Sequence, residues 1–191
     1  NVRTGKIKVF SGAEITTEVV LASACLPTLF QAVEIADPAT GRTEAYWDGG
    51  YTGNPALFPL FDPALPRDIV VVNLNPLVRD AVPRSVIEVQ DRINEISFNA
   101  SLLREFRAIH FVKELIASGR MQEGVMKDVL VHLVADDDFM DSLTASSKLT
   151  PWPGLLFALK EAGQQAAERF LSRHGADLNR RSSVDLPTLF G

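Results

Sequence analysis

The run Ile69-Val70-Val71-Val72 constrains the fold of this 191-residue chain more than any other segment. Neighbouring side chains of a strand point to opposite faces, so four β-branched residues in succession predict that both faces are buried. Such a strand, here over residues 67–74, is typical of the interior of a parallel sheet flanked by helices. The run Val129–Val134, apolar except at His132, predicts another buried strand.

Helical patterns alternate with these two strands. Ser85 and Glu88 form a capping box at the start of the longer helix, and apolar residues recur at the spacing of one helix face as far as Ile116. Gly119 suits the left-handed turn that ends a helix, and the length of the pattern allows a break near residues 97–99. Strands that alternate with helices predict an α/β fold, here a three-layer sandwich.

A last long helix is predicted from Pro153 to His174, where Gly175 ends it. Three carboxylates, Asp136-Asp137-Asp138, occur upstream of it and invite a calcium or magnesium site. The alternating ligands and the glycine of a calcium-binding loop are absent, however. An acidic loop that caps a following helix at its positive end is the more ordinary interpretation, and we assign no metal to this chain.

The first 30 residues predict shorter elements. The alternation of polar and apolar residues in Val2–Phe10 is typical of a half-exposed strand. Thr16 or Thr17 is a candidate N-cap for a short helix. Pro27 ends that helix, because proline disfavours helical geometry in the residue before it.

A carboxylate followed by two glycines, Asp48-Gly49-Gly50, comes directly after a predicted strand pair, Gln31–Ile35 and Thr43–Trp47. A turn over residues 37–41 joins the two strands. Glycine lets another backbone or a ligand approach closely, so this carboxylate suits orienting or deprotonating a catalytic partner. Asp-Gly is equally a common turn signal. The tripeptide alone therefore leaves a catalytic role and a plain turn open, with the turn more frequent.

The segment around this tripeptide resembles the patatin-like phospholipases. In that family a helical stretch rich in serine and alanine ends in a proline, and an Asp-Gly-Gly motif and an Asn-Pro pair follow. Here the stretch is Leu21–Phe30 and the pair is Asn54-Pro55. The C-terminal part is also similar to bacterial members, at Ser146-Ser147-Lys148-Leu149 before Trp152-Pro153 and at residues 175–186. The resemblance covers most of the chain, although only the central motif is chemically specific.

The resemblance implies a serine acyl hydrolase that cleaves lipid or phospholipid esters with a Ser-Asp dyad. Asp48 would accept the serine proton during attack on the ester carbonyl and return it to the departing alcohol. Gly49 and Gly50 would let the loop after Asp48 pass close to the nucleophile, which leaves no room for a side chain at position 49. Asn54 completes the motif. The resemblance implies no cofactor, and no histidine is needed, so no histidine is given a catalytic role.

Two motifs of the family are missing from the chain. The family's nucleophile lies in Gly-x-Ser-x-Gly, and a glycine-rich loop supplies the oxyanion donors. No serine here has glycines two positions before and after it; Ser11 comes nearest, with Val9 in place of the first glycine. Both motifs lie N-terminal to Asp-Gly-Gly in the family. We therefore expect residues 1–191 to be the C-terminal part of one patatin-like domain, bound to an N-terminal polypeptide that carries the serine.

Leu26, Phe30 and Trp47 are candidates for the walls of an acyl-chain groove, with ordinary core as the alternative. The expected substrate is a lipid or another acyl ester, which allows transient contact with a membrane surface. A depolymerase or thioesterase on the same scaffold is an alternative, since fold does not determine substrate. An alternative from another class is a non-catalytic lipid- or protein-binding module in which Asp48-Gly49-Gly50 is a structural turn.

Charge and composition narrow the function classes further. The net charge of −5, with scattered basic residues, gives no electrostatic case for binding nucleic acid. Hydrophobic residues make up 46% of the chain, but no apolar run is long enough to span a bilayer. The compartment stays open, with the cytoplasm as the expectation. The single cysteine, Cys25, cannot form an internal disulfide and is expected to be a small buried hydrophobe.

Overall fold

The computed structural model of the chain describes residues 1–122, 124–143, 147 and 150–191. The chain divides into two compact units, Asn1–Pro59 and Leu60–Gly191. Each unit contains helix and strand, so the fold is broadly α/β, as the sequence predicted. Of the C-terminal segments that resemble the patatin-like family, Ser146, Lys148 and Leu149 lie outside the described residues.

The first unit combines a short helix with an antiparallel hairpin. Helix α1, Thr17–Ser23, begins at the predicted cap, where Thr16 Oγ1 accepts a hydrogen bond from Val19 N. Strands β1, Val33–Asp37, and β2, Arg42–Tyr46, pair along their whole length. Both strands are therefore present as predicted, each displaced by one or two residues.

The predicted strand over Val2–Phe10 is wrong, because the segment is extended or turned without forming a strand. Val2 N–H donates a hydrogen bond to Ala45 O at 2.8 Å. Alternation of polar and apolar residues is compatible with any extended chain, whereas a strand needs a ladder of backbone hydrogen bonds. That backbone bond and side-chain contacts attach the segment to the hairpin without a strand ladder, and Lys8 Nζ lies 3.2 Å from Asp37 Oδ1.

The second unit is organised around a pair of parallel strands. Strands β3, Asp68–Val72, and β4, Leu130–Val134, lie side by side, and the crossover between them contains helix α2, Val86–Ala117. Parallel strands need such a long connection, usually a helix. The remaining helices of the described residues are α3, Asp137–Asp141, α4, Pro153–His174, and α5, Leu186–Phe190. The parallel character of the sheet and the end of α4 before Gly175 were predicted correctly.

Burial of both faces of β3 was predicted, and this prediction is wrong. Ile69 and Val71 are buried, whereas Val70 is 48% exposed and Val72 is 66% exposed. Among the described residues, β3 pairs only with β4. Alternate residues of a strand share a face, so the unit itself buries one apolar face of β3 and leaves the other open.

Helix α2 begins at the predicted capping box. Ser85 Oγ accepts a hydrogen bond from Glu88 N, and Glu88 Oε2 accepts one from Ser85 N. The helix continues for 32 residues without the break that its length allowed near residues 97–99. Phe106 and Ile109 are buried, which confirms the C-terminal half of the predicted apolar face.

The N-terminal half of that apolar face is wrong. Ile93 and Ile96 are more than half exposed, and Glu95 and Asn99 are buried instead. Glu95 Oε1 and Oε2 accept hydrogen bonds from Arg79 at 2.6 and 2.8 Å, and Asn99 donates to backbone carbonyls of the preceding loop. Buried polar groups are tolerated when they are hydrogen-bonded in this way.

Asp136 bears out the capping interpretation of the acidic triplet. Its Oδ1 accepts a hydrogen bond from Phe139 N at the start of α3, and its Oδ2 lies 2.7 Å from Arg169 of α4. The buried Cys25 confirms the other local expectation: it is 5% exposed, and its thiol donates to Gln31 O.

Candidate functional site

Asp48 lies two residues beyond β2 and begins a 3₁₀ turn, Gly49–Tyr51. Its Oδ1 accepts a hydrogen bond from Gly50 N at 2.7 Å, and its own backbone N–H donates to Cys25 O at 2.9 Å. These two bonds fix the position of the carboxylate relative to the end of β2 and the segment after α1. Oδ2 has no hydrogen-bond partner within the described part of the chain, so it can accept one from a ligand or a partner.

A cleft of about 690 Å³ adjoins Asp48, within the first unit. Its walls come from the N-terminal segment, from α1 and from the residues around the end of β2. Most of the large side chains that line it are apolar or aromatic: Ile7, Phe10, Ile15, Val19, Val20, Trp47 and Tyr51. A largely apolar cavity of this size with a few polar groups is the usual character of a small-molecule site.

Asp37, which is only 5% exposed, binds two polar residues that line the cleft, Lys8 and Tyr46. Its carboxylate accepts hydrogen bonds from Lys8 Nζ, from Tyr46 Oη at 3.0 Å and from Ala39 N at 2.9 Å. The bond from Ala39 N–H is the largest cause that holds the pKa of Asp37 below its ordinary value, and the bond to Asp37 raises the pKa of Lys8. Both groups are therefore charged at neutral pH, and Lys8 and Tyr46 are fixed at the cleft.

The structure brings only some of the predicted site residues to the cleft. Trp47, Asp48 and Gly49 line it, whereas Leu26 and Phe30 do not. Residues 26–30 form a turn in which Phe30 N–H donates to Leu26 O at 2.9 Å, and Phe30 is 60% exposed. Of the three residues predicted to form an acyl-groove wall, only Trp47 lines this cleft.

Within this chain it is Gly53, and not Gly49, that is crowded by neighbouring atoms. A Cβ added at Gly49 meets no atom of the chain within 4 Å, whereas one added at Gly53 lies 2.9 Å from Ala56 Cβ and 3.4 Å from Ile7 Cδ1. Ala56 is only three residues from Gly53, whereas the contact with Ile7 carries no signal in the sequence because Ile7 is far from Gly53 along the chain. Asn54 follows directly, and the Asn54-Pro55 peptide bond is cis.

A second polar pair, which the sequence analysis missed, lies in the other unit. His132 is fully buried, and its Nε2 lies 2.8 Å from Asp68 Oδ1. The register places Asp68 opposite Leu130, so Asp68 and His132 are diagonal neighbours on one face of the sheet. The sequence signal for this pair was a polar residue in each of two otherwise apolar strands.

Comparison with protein-family models, with curated proteins and with solved structures gives no match for this chain. Within the described residues, no cluster of three or more His, Cys, Asp or Glu side chains could hold a metal ion. None of the helices that the structure describes combines the length and the apolar character needed to cross a membrane. The geometry around Asp48 is therefore the main basis for assigning a function.

Proposed function

We propose that this chain supplies the general base of a serine acyl hydrolase that cleaves lipid, phospholipid or related acyl esters with a Ser-Asp dyad. The observation that carries the proposal is the placement of Asp48. One carboxylate oxygen is held by Gly50 N–H, and the other is free to accept a proton, at the edge of a largely apolar cleft. The resemblance of Asp48-Gly49-Gly50 and Asn54-Pro55 to the patatin-like motif adds to this geometry.

The proposed chemistry needs one fixed carboxylate and one serine. Asp48 accepts the proton of the serine hydroxyl while the serine oxygen attacks the ester carbonyl, and the proton then passes to the departing alcohol. Asp48 then takes a proton from water as the water oxygen attacks the acyl-enzyme, and it returns that proton to the serine oxygen as the acid is released. Holding Asp48 by Gly50 N–H contributes orientation before the reaction begins. Apolar walls such as Val20 and Trp47 suit the acyl chain.

The serine of this proposal belongs to an N-terminal polypeptide that carries Gly-x-Ser-x-Gly, because no serine of this chain lies in that motif. The open face of β3, with Val70 and Val72 exposed, supports a covering layer. Further strands would pair at the free edges of the two-stranded sheet that the described residues form. A three-layer patatin-like sandwich would be the completed domain. The partner would then bury an apolar surface that resembles a domain core cut in half.

The test is Asp48→Asn in the protein expressed together with its N-terminal polypeptide. Asparagine keeps an oxygen that can accept the Gly50 N–H bond, so the turn is retained while the base is lost. We expect hydrolysis of a p-nitrophenyl ester to fall about 10²-fold or more, since removing a general base typically costs that much. Unchanged circular dichroism and unfolding temperature would show that the variant is folded.

Asp62→Asn is the matched control. Asp62 Oδ1 accepts a hydrogen bond from Ala64 N at 2.8 Å, the same two-residue geometry as at Asp48, but Asp62 does not line the cleft. It should keep full turnover. A folded Asp48→Asn enzyme with near-normal turnover would refute the assignment of the base, and fluorophosphonate labelling of a serine within residues 1–191 would refute the split dyad.

A non-catalytic lipid- or protein-binding module is the second candidate. It is favoured by the cap that Asp48 forms on the 3₁₀ turn, because this bond gives the carboxylate a structural role. The whole protein would then show neither ester turnover nor fluorophosphonate labelling, and a fluorescent fatty acid would still bind the cleft. Turnover of thioesters or polyesters in preference to lipid esters would indicate the thioesterase or depolymerase alternative on the same scaffold.

A further inference from the structure

The parallel sheet of β3 and β4 has two outer edges, and the edge of β4 is already occupied. Val131 N–H donates a hydrogen bond to Ser182 Oγ at 3.0 Å, and Val131 O accepts one from Ser183 N at 3.1 Å. Both backbone groups of Val131 therefore point away from β3 and are bound by the segment that follows α4. Another strand could pair along the middle of this edge only by displacing that segment.

The edge of β3 is open instead. Asn73 N–H donates a hydrogen bond to Val134 O at 2.9 Å, so Asn73 directs its N–H towards β4. Successive residues of a strand direct their backbone groups to opposite edges, and the N–H and C=O groups of Val70 and Val72 therefore point away from β4. None of these groups forms a hydrogen bond with any residue that the structure describes. An extended chain is the partner that matches such a row of unpaired groups.

An apolar surface adjoins this open edge. Val70 and Val72 are both exposed, although they lie on the same face of the sheet as the buried His132. The ring of Phe170 in α4 packs against the imidazole of His132, with 5.9 Å between the ring centres. Helix α4 therefore covers this face over β4 and leaves it uncovered over β3. Parallel sheets are normally covered by helices on both faces, so the missing layer lies beside α4.

The edge of β3 lacks the features that protect a permanent edge strand. Such strands usually carry charged side chains, proline or a bulge, whereas Val70 and Val72 are apolar and the ladder to β4 is regular. A second copy of this chain is a poor occupant. Two five-residue strands that meet edge to edge form a small contact compared with the roughly 1,200 Å² or more of a stable interface, and the valines of both copies stay uncovered. A strand with a helix beside it closes the edge and covers the valines together.

We infer that the open edge of β3 is the docking site for a strand–helix unit of the N-terminal polypeptide. The strand lies parallel to β3, because helix layers accompany parallel strands, and it pairs with the backbone groups of Val70 and Val72. The helix packs on the side chains of these two valines, beside α4. Strand β3 thereby becomes an interior strand, and β4 remains the edge of the completed sheet. The inference rests on the proposed function for the identity of the polypeptide, and on the difference between the two edges for the place where it binds.

The first experiment is Val70→Pro in residues 1–191 expressed together with a tagged N-terminal polypeptide. Proline removes the N–H that points to the open edge but no bond between β3 and β4, and edge strands tolerate proline in this orientation. We expect binding to the tagged polypeptide to fall about tenfold or more, because the strand loses a ladder hydrogen bond and meets the proline ring. Val70→Ala is the matched control, since it also changes the side chain but keeps the N–H. It should bind several times more tightly than Val70→Pro, and equal losses in the two variants would contradict backbone pairing at this edge.

The second experiment needs no substitution and measures amide hydrogen exchange in the same complex. Leu133 lies two residues beyond Val131 in β4, so its N–H also points to the outer edge of β4, and it forms no hydrogen bond with a described residue. We expect the amides of Val70 and Val72 to exchange about 10²-fold or more slowly than that of Leu133, because amides in a ladder exchange only when the structure opens. This result would hold even if Val70→Pro failed to fold.

Three exchange results would overturn the inference. Fast exchange at Val70 and Val72 would show that no strand pairs with β3. Slow exchange at Leu133 alone would place the added strand at β4. Protection that disappears on dilution, with the mass of two copies by light scattering, would assign the edge to a second copy of this chain.

The outcomes also separate docking from catalysis. Slow exchange at Val70 and Val72 without any ester turnover would support the docking site and refute the hydrolase. Normal binding and normal turnover in a folded Val70→Pro protein would leave the hydrolase standing and overturn docking at the edge of β3.

Discussion

His132 and Asp68 form a buried pair across the two parallel strands, with 2.8 Å between Nε2 of the imidazole and Oδ1 of the carboxylate. Because an ionised carboxylate only accepts hydrogen bonds, Nε2 is the protonated ring nitrogen and donates. Asp68 Oδ1 also accepts from Asn179 N at 2.8 Å, and Asn179 has a left-handed backbone with φ of 61°. The pair therefore attaches the segment after α4 to the sheet.

Asp68→Ala should destabilise the second unit. The substitution leaves the buried imidazole of His132 and the Asn179 N–H without their acceptor, and removing one partner of a buried hydrogen bond costs about 1–3 kcal/mol. Asp80→Ala is the control, because Asp80 is an exposed carboxylate and such changes usually stay within about 0.5 kcal/mol. Chemical denaturation measures both, and equal stability of the two variants would contradict the structural role of the pair.

The stability of the second unit should fall as the pH falls into the acid range. Desolvation pushes the pKa of Asp68 upward, but the hydrogen bonds from Asn179 N–H and His132 outweigh it and hold the pKa below the ordinary value of 3.8. Between the folded and the unfolded pKa of Asp68, the unfolded chain therefore binds more protons than the folded chain. The stability that the Asp68 carboxylate contributes is complete above the unfolded pKa and is lost as the pH falls through the folded pKa. Unfolding free energies measured across that window should decline less steeply for Asp68→Ala than for wild type or Asp80→Ala.

Gly53→Ala should destabilise the first unit, and Gly49→Ala should not. The new methyl group at position 53 would lie 2.9 Å from Ala56 Cβ, so the backbone must shift, and overpacking of this kind costs about 1–3 kcal/mol. Position 49 has open space in this chain. Thermal unfolding compares the two. If Gly49→Ala folds normally but loses ester turnover, the crowding at position 49 comes from the partner polypeptide. A Gly53→Ala variant as stable as wild type would contradict the close packing of Gly53 against Ala56.

Phe106→Ala should be the most damaging of these substitutions. Phe106 is fully buried between α2 and the rest of the second unit, and truncating a buried phenylalanine typically costs about 3–5 kcal/mol. Phe111, five residues along the same helix, is 63% exposed and provides the control. Denaturant midpoints of the two variants should therefore differ widely, and similar midpoints would show that α2 does not bury the face assigned to it.

The catalytic prediction depends on separating the two roles of Asp48. Asp48→Ala removes both the base and the acceptor for Gly50 N–H, and loss of a cap typically costs about 0.5–2 kcal/mol. Asp48→Asn removes the base alone. We therefore expect both variants to lose turnover to the same extent and only Asp48→Ala to lose stability. Turnover that falls in Asp48→Ala but persists in Asp48→Asn would assign Asp48 to the turn alone.

Features that depend on neighbouring residues could be predicted from the sequence. The capping box of Ser85 and Glu88, the cap at Thr16 and the stop after His174 are each formed by groups within a few residues of one another. Such hydrogen bonds are determined by residue type and spacing. The position of Asp48 after a strand, before two glycines, could be predicted for the same reason.

Tertiary structure decided which side chains are buried and which line the cleft. Glu95 is buried and Ile93 exposed because Arg79, 16 residues before Glu95, supplies the ion pair. Lys6 and Lys8 line the cleft, since the N-terminal segment is held by Asp37 rather than by a strand ladder. Phe30 lies outside the cleft. The sequence by itself determined the α/β class, the caps and the turn at Asp48. Contacts between residues distant in the chain decided the rest, because local spacing carries no information about them.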